Sequence, residues 1–203
     1  MSSDRPIPAA AREVLDFWFG LPGTPAWNVS RREWFAKSGA FDATIRERFL
    51  LPWQDAHDSA EGAGDNWSVT PEGACARIVL LDQFPRNMFR GDPRSFATDG
   101  KALTLARRML DKGWDRELPT PWHRMFCYLP FEHAEALADQ DVSVREFSRL
   151  REETGGDVDV VEWAVKHRDF IARFGRFPHR NAVLGRTSTA DELEFLRQPG
   201  SSF

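Results

Sequence analysis

The chain has 203 residues, of which 41% are hydrophobic and 29% charged, and this composition excludes a disordered or fibrous protein. Its formal net charge of −4 provides no basic surface of the kind that binds nucleic acid, and no polybasic run indicates a membrane surface. We therefore expect one domain over residues 1–203, with neither a nucleic acid nor a membrane as its partner.

The beginning of the chain and its cysteines indicate a compartment. Met1 to Ala11 lacks the basic start and the long apolar run of a signal peptide, and no apolar stretch approaches the length of a bilayer crossing. Cys75 and Cys127 lie far apart in apolar surroundings, which is typical of buried, reduced thiols. These features predict a cytoplasmic protein.

The first quarter of the chain shows helical spacing of apolar residues. Ala9 to Phe19 is predicted as a helix that Gly20 ends. A short helix is expected from Arg31 to Lys37, and a longer one from Phe41 to about Ala60, with a kink at Pro52. The proline- and glycine-rich loops between these elements are predicted at 21–28 and 62–69.

A strongly apolar segment follows in the middle of the chain. Thr70 is a suitable cap and Pro71 a suitable first residue for a helix that is apolar on nearly all sides up to Phe84. Such a helix is central and buried, and Pro85 is expected to end it. Ile78 to Leu81 alone also fits a parallel strand, but the start signals favour a helix.

The second half of the chain is predicted to be helical as well. Asp99 is expected to cap a helix that runs to Lys112 and closes at Gly113. Thr189 with Glu192 forms the pattern of a capping box for a last helix. The remaining predicted helices are Pro121 to Leu129, Phe131 to Ala138, Val142 to Glu153, Asp157 to Phe174, and the last one through about Arg197.

Two charged residues lie within or just after the apolar central helix. Asp82 and Arg86 are one helical turn apart on its buried side, where a charge requires a partner. They form either a structural ion pair or, together with Asn87 and Arg90, part of the lining of a pocket. The structural pair is the favoured interpretation, because perturbed ion pairs mark functional sites only statistically.

An imidazole and several carboxylates follow Pro130. Neither the Glu-x-x-His pairs of carboxylate metal sites nor a His-Glu-x-x-His motif occurs, so no metal is expected. Glu132 is interpreted as a structural residue in the first turn of a helix, whereas His133 and Glu135 are candidates for a polar cavity. His167 lies on an apolar stripe and is interpreted as a core histidine.

The most unusual local pattern lies near the end of the chain, between Arg173 and Asn181. Pro178 is suited to begin a short helix that would end at Gly185, and His179 and Arg180 would then fall in its first turn. Because the positive end of a helix dipole repels cations, facing carboxylates or a bound anion must compensate them.

Polar residues next to His179 and Arg180 could take part in binding such an anion. Arginine forks bind carboxylates and phosphates, and a histidine can transfer a proton near neutral pH. The alternative is that these side chains bind carboxylates of the same chain, such as Asp82 or Glu135, and so hold the last segment against the body. The cluster comprises Arg176, His179, Arg180, Asn181 and Arg186, with hydroxyls at Thr187 to Thr189 nearby.

Several motifs resemble those of one bacterial family. They are Leu81 to Asn87, Phe89 to Gly91, Phe96 to Asp99, Tyr128 to Phe131 with His133 and Glu135, Leu137 to Gln140, Arg173 to Asn181, and Pro199 to Phe203. With these motifs, which span essentially the whole chain, the protein resembles the DUF 924 family of unknown function. The resemblance implies an all-α fold, similar to the tetratricopeptide-like right-handed superhelices of antiparallel helix pairs. It implies no activity.

These observations lead to three functional hypotheses. The first is binding of a small anionic molecule or an acidic peptide end, with Arg86, Arg176 and Arg180 as clamps. The second is an enzyme that uses His133 or His179 as acid or base with Glu135 as the orienting carboxylate. The third is an adaptor that binds a protein in its helical groove. No cofactor is expected, because phosphate loops, dinucleotide motifs and nucleophile elbows are missing.

Overall fold

The computed structural model describes residues 6–59 and 66–202, and in these ranges every regular element is a helix. The predicted all-α class is confirmed. The α-helices are α1 (Ala9–Phe19), α2 (Gly39–Asp58), α3 (Pro71–Ile78), α4 (Phe84–Met88), α5 (Asp99–Asp111), α6 (Pro121–Glu132), α7 (Leu137–Glu153), α8 (Val161–Phe174) and α9 (Ala190–Leu196). Turns of 3₁₀ helix occur at Arg32–Trp34, Pro93–Phe96, Trp114–Glu117 and Pro178–Arg180.

Elements with strong local start or stop signals agree with their predictions. Helix α1 has the predicted bounds, and the capping box of Thr189 and Glu192 begins α9. The expected helix at Arg31 to Lys37 is a single 3₁₀ turn, and α2 begins two residues before the predicted Phe41. The predicted end of α2 at Ala60, most of the loop 62–69 and the final residue of the chain lie outside the described residues.

The central helix continues past Pro85, so the predicted stop is wrong. Between α3 and α4 the chain forms a π-helical segment, Val79–Gln83, and the three elements follow one another without interruption. A proline cannot donate to the preceding turn and therefore leaves a carbonyl without its partner. Here the Thr98 hydroxyl donates to the carbonyl of Leu81 at 2.5 Å, and this hydrogen bond lets the helix pass the proline.

Replacing Thr98 with valine is expected to destabilise the protein by about 1–3 kcal/mol, because buried polar groups would lose their partners. The carbonyl of Leu81 would lose its donor, and the Trp53 indole N–H, 3.2 Å from the Thr98 hydroxyl, would lose its acceptor. Thr104→Val, on an exposed face of α5, is the matched control and should change stability by less than about 0.5 kcal/mol. Urea unfolding compares the two variants, and equal effects would contradict this role of Thr98.

The predicted break at Pro130 is also wrong. Helix α6 runs through Pro130 to Glu132, the chain then turns, and α7 begins at Leu137 instead of Val142. Residues 125–132 are all buried, and such tertiary burial overrides the local preference of a proline. Glu132 therefore ends a helix rather than beginning one, and His133 and Glu135 belong to the turn between α6 and α7. Helix α8 begins at Val161, four residues after the predicted Asp157.

Most of the aromatic residues form the core. One cluster of buried side chains extends from α1 to α8. In it, the ring centroid of Trp18 lies 5.5 Å from that of Phe84 and 5.4 Å from that of Phe126. Cys75 and Cys127 are buried free thiols. A smaller cluster around Phe177 and Phe195 attaches the last segment of the chain to α8.

Helices α6, α7 and α8 pack in sequence, each against the next. Short connections between consecutive helices favour antiparallel neighbours, so this packing is compatible with the predicted superhelix of helix pairs, which stays a prediction. In the described part of the chain, no helix combines the length and the apolar character that a membrane crossing requires.

Candidate functional site

The segment that begins at Pro178 differs from its prediction. It forms a 3₁₀ turn, Pro178–Arg180, followed by turns up to Gly185, and not a helix over this range. A single turn has too few aligned peptide groups for a helix dipole, so the electrostatic argument from helix polarity is wrong. Burial, with the nearby charge of Arg180 second, lowers the pKa of His179 to about 4, so that this ring is neutral at pH 7. Of the two basic residues predicted in this segment, His179 and Arg180, only Arg180 is then a cation at pH 7.

Arg180 is a buried cation with few partners. Its residue is only 7% exposed, and its guanidinium lies between the rings of Phe96 and Phe177, 4.6 Å from each centroid. Its ion pair is with Asp99, at 3.4 Å, and within the described chain its Nε atom has no hydrogen-bond partner. Burial and then the charge of Arg86 lower the pKa of Arg180 to about 10, so the group stays charged at neutral pH with donors unused.

Asp99 connects Arg180 to the end of the central helix. The expected capping role of Asp99 is wrong, because Thr98 occupies the cap position and Asp99 is the first residue of α5. Its carboxylate instead accepts two hydrogen bonds from Arg86, at 2.9 and 3.0 Å. Arg86 also lies 3.4 Å from the carboxylate of Asp82 and donates to the carbonyl of that residue. The predicted ion pair of Asp82 and Arg86 is present.

Asp82 also binds His133, which lies on the turn after α6. The Nδ1 atom of His133 is 2.8 and 3.0 Å from the two carboxylate oxygens of Asp82, whose side chain is fully buried. Burial alone would raise the pKa of Asp82, but the charge of Arg86 and the contact with His133 hold it well below its usual value. The carboxylate is therefore ionised, and Nδ1 must carry the hydrogen that it donates.

The imidazole of His133 is neutral at pH 7. Burial, followed by the charge of Arg86, lowers its pKa, and these effects outweigh the opposite effect of Asp82. With Nδ1 protonated, Nε2 is the unprotonated nitrogen and can accept a proton. The enzyme hypothesis made Glu135 the carboxylate that orients His133 or His179. For His133 this is wrong, because Asp82 holds that position. Glu135 instead accepts hydrogen bonds from Arg186 at 2.6 and 3.0 Å and from the Phe177 backbone N–H at 2.8 Å.

His133 and Arg180 line the same cavity, which has a volume of about 430 Å³. Its carboxylates are paired, Asp99 with Arg86, Glu135 with Arg186, and Asp139 with Arg107 at 2.7 Å. The rest of the wall is largely apolar. The apolar lining includes Phe96, Ala97, Leu103, Pro130, Ala134 and Leu184.

Of the residues predicted for the site, His133, Glu135 and Arg180 line the cavity, and four others bind carboxylates elsewhere in the chain. Asn87 and Arg90 bind Asp42 of α2, at 2.8 and 2.6 Å. Arg176 binds Glu192 of α9 at 2.6 Å, and Asn181 binds the same carboxylate at 3.3 Å. For Arg176 and Asn181 the structure shows the alternative interpretation, in which the chain binds its own carboxylates.

A buried carboxyl lies next to the Asp82–His133 pair. Glu132 is 5% exposed, and burial, followed by the negative charge of Asp82, raises its pKa to about 8. Its Oε1 atom is 3.4 Å from Nδ1 of His167, which is 2.8 Å from the Trp163 carbonyl. His167 is buried, as predicted for a core histidine.

The sequence predicted neither Asp99 as a partner of Arg180 nor Phe96 as part of its surroundings. Both residues lie near the start of α5, 81 or more positions before Arg180. Their only signal in the sequence is the motif Phe96 to Asp99, which is one of the motifs on which the resemblance to the family is based. Among the described residues, no group of three histidine, cysteine or acidic side chains is placed to hold a metal ion.

Comparisons with known proteins agree with the resemblance seen in the sequence. The family described as bacterial protein of unknown function (DUF924) matches residues 14–200. A solved structure of ATU0120, a protein of unknown function from Agrobacterium tumefaciens, is similar with a TM-score of 0.76 and 37% identity, over 93% of this chain and 97% of that chain. No curated protein matches the chain. The chain therefore belongs to the DUF924 family, bacterial proteins whose function is not established.

Proposed function

We propose that this protein binds a small organic anion, a monocarboxylate with an apolar body, in the cavity between α5, the turn after α6 and the segment around Arg180. The observation that carries this proposal is that Arg180 is buried and charged but has few hydrogen-bond partners. A guanidinium has five N–H donors in a planar fork, yet within the described chain this buried one has a single carboxylate partner at 3.4 Å. A carboxylate ligand would use the remaining donors and compensate the buried charge.

The surroundings of Arg180 limit the charge of the ligand. The cavity also contains Asp99, Glu135 and Asp139, and their negative charges disfavour a phosphate dianion. Each of the three is already paired with an arginine, and Arg180 is the one arginine or lysine among the described residues that line the cavity. One negative charge therefore fits the site better than two.

The apolar wall limits the body of the ligand. Leu103 and Leu184, with the ring of Phe96, offer contact to a short alkyl or aromatic group but no hydrogen bonds. Each buried methylene contributes about 0.8 kcal/mol, or roughly a fourfold gain in affinity. We expect a small monocarboxylic acid whose head contacts Arg180 and whose tail contacts these side chains.

Titration calorimetry with acetate, propionate, butyrate and hexanoate tests the proposal, with the matching uncharged amides as controls. The acids should bind with an affinity that rises about fourfold per methylene until the cavity is filled, whereas the amides should bind at least about tenfold more weakly. Thermal shifts should follow the same order, because a ligand stabilises the folded state that it binds. Equal binding of acids and amides, or binding of neither, would contradict the proposal.

A further inference from the structure

The cavity that contains Arg180 also presents a base. His133 lines the cavity, and its Nδ1 atom is turned towards Asp82, which does not line it. The other ring nitrogen, Nε2, has no hydrogen on it and is the one that can accept a proton. A histidine whose Nδ1 is held by a buried carboxylate, and which lies in the wall of a cavity, has the arrangement of a general base.

The lining restricts what this base can activate. None of the described side chains that line the cavity is a serine, threonine, cysteine, lysine or tyrosine. Its three carboxylates, which could also act as nucleophiles, are each engaged by an arginine, so the wall offers no free hydroxyl, thiol, amine or carboxylate for a covalent intermediate. The group that His133 deprotonates must therefore enter from solution. Water is the one such group that every solution supplies.

We infer that the cavity hydrolyses small carboxylic esters, with His133 as the general base, a water molecule as the nucleophile and Arg180 as the stabilising cation. This inference rests on the proposed function, because the acid product of the reaction is the monocarboxylate that Arg180 binds. The apolar lining accommodates the acyl chain of the ester, as it does that of the acid.

The reaction balances without any further reactant. Nε2 of His133 takes one proton from water while the water oxygen attacks the carbonyl carbon, and the carbonyl oxygen becomes an anion beside the Arg180 guanidinium. When this intermediate collapses, the bond to the alcohol oxygen breaks, and that oxygen takes the proton from Nε2. The products are the acid, which then ionises, and the alcohol, and His133 returns to its neutral form.

Asp82 is a positioning residue in this scheme. It accepts the Nδ1 hydrogen and so fixes the tautomer in which Nε2 is free, and its charge stabilises the imidazolium that forms after proton transfer. Asp82→Asn should lower kcat and shift the acidic limb of the pH profile, because an amide can donate to Nδ1 and reverse the tautomer. A purely structural role would lower activity without moving that limb.

The test is the hydrolysis of p-nitrophenyl esters, from acetate to octanoate, by the purified full chain. Wild-type protein should turn them over, and His133→Asn should lower kcat at least about 100-fold with little change in KM. His57→Asn is the matched control, because His57 is an exposed histidine paired with Asp58, and it should keep the wild-type rate. Circular dichroism and thermal unfolding establish that the variants are folded. A folded His133→Asn variant with the wild-type rate would overturn the inference.

Two measurements on the wild-type protein keep the test decisive if His133→Asn does not fold. The rate should fall with acidification along one limb below pH 6.5, the ordinary value for histidine, and an intact mass spectrum during turnover should show the unmodified chain. A flat pH profile or an acyl adduct would overturn the inference. A wild-type chain that binds butyrate but hydrolyses no ester overturns this inference alone, and one that does neither overturns the proposed function as well.

Discussion

Replacing Glu132 with glutamine is expected to stabilise the protein by about 2 kcal/mol at pH 7. The carboxyl is buried at the end of α6, and burial and the charge of Asp82 raise its pKa from 4.5 to about 8. Holding it protonated at pH 7 costs the folded state about 3 kcal/mol relative to an exposed carboxyl. Glutamine is neutral at every pH and similar in shape, and part of the gain is lost because its new amide donors need partners.

The pH dependence identifies the cause of this change. The pKa of Glu132 is higher in the folded protein than in the unfolded chain, so its contribution to the free energy of unfolding is fully present below pH 4.5. This contribution is lost as the pH rises to 8, by up to about 1.4 kcal/mol per pH unit. Glu132→Gln should lack this decline. The pKa values of His123 and His167, both lowered to about 3 by burial, make stability fall from pH 6.5 downwards in both proteins. Because His167 contacts Glu132, the difference between the two proteins isolates Glu132 at pH 7 to 8, where this histidine is neutral in the folded and the unfolded chain.

Urea unfolding at half-unit steps from pH 5 to pH 8 measures both effects. Glu152→Gln, at an exposed position near the end of α7, is the control and should leave the pH dependence as in the wild type. A Glu132→Gln variant that is less stable at pH 7, or that keeps the wild-type slope, would show that Glu132 is ionised in the folded protein.

The second large effect is expected for Arg180→Met, which should weaken the binding of butyrate about 10- to 100-fold. A hydrogen bond to a charged group contributes about 1.5–3 kcal/mol, and methionine retains the apolar length of the side chain without the donors. The fold should persist, because the Met sulfur can contact the rings of Phe96 and Phe177, and Asp99 retains its two hydrogen bonds from Arg86. The measurement is a calorimetric titration of the folded variant.

Local signals in the sequence were sufficient for several elements of the fold. Helix α1 ends where Gly20 ends its apolar pattern, and the capping box at Thr189 begins α9, because these patterns act through neighbouring residues. The two prolines were misleading for the opposite reason. The bond that lets the central helix pass Pro85 comes from Thr98, which belongs to another element, and no local pattern contains it.

In the candidate site, too, local sequence patterns indicated single residues but not their distant partners. The sequence indicated Asp82, His133 and Arg180 as unusual polar residues. Asp82 lies on the buried side of an apolar helix, His133 stands among several carboxylates, and Arg180 was expected in the first turn of a helix. It did not pair them correctly, since the partner of His133 is 51 positions away and that of Arg180 is 81 positions away. Residue types can show that a buried charge needs a partner, whereas the choice among the available carboxylates depends on tertiary packing.

The resemblance to the DUF924 family defined the fold class but not the chemistry. The family motifs contain residues with different surroundings in the structure: Arg90 binds Asp42 far from the cavity, whereas Arg180 lines it. A motif therefore marks a residue without indicating whether it holds the fold together or contacts a ligand. The cavity and the state of each side chain in it make that distinction.

The central claim is that the buried Arg180 binds the carboxylate of a small acid, and calorimetric titration of butyrate into wild-type, Arg180→Met and Arg197→Met proteins tests it most directly. Arg197 is an exposed arginine of the last segment, with an ion pair to Glu194 only three positions away, and serves as the matched control. We predict that Arg197→Met binds butyrate as the wild type does and that Arg180→Met binds it at least about tenfold more weakly. Equal affinities in all three folded proteins would contradict the claim.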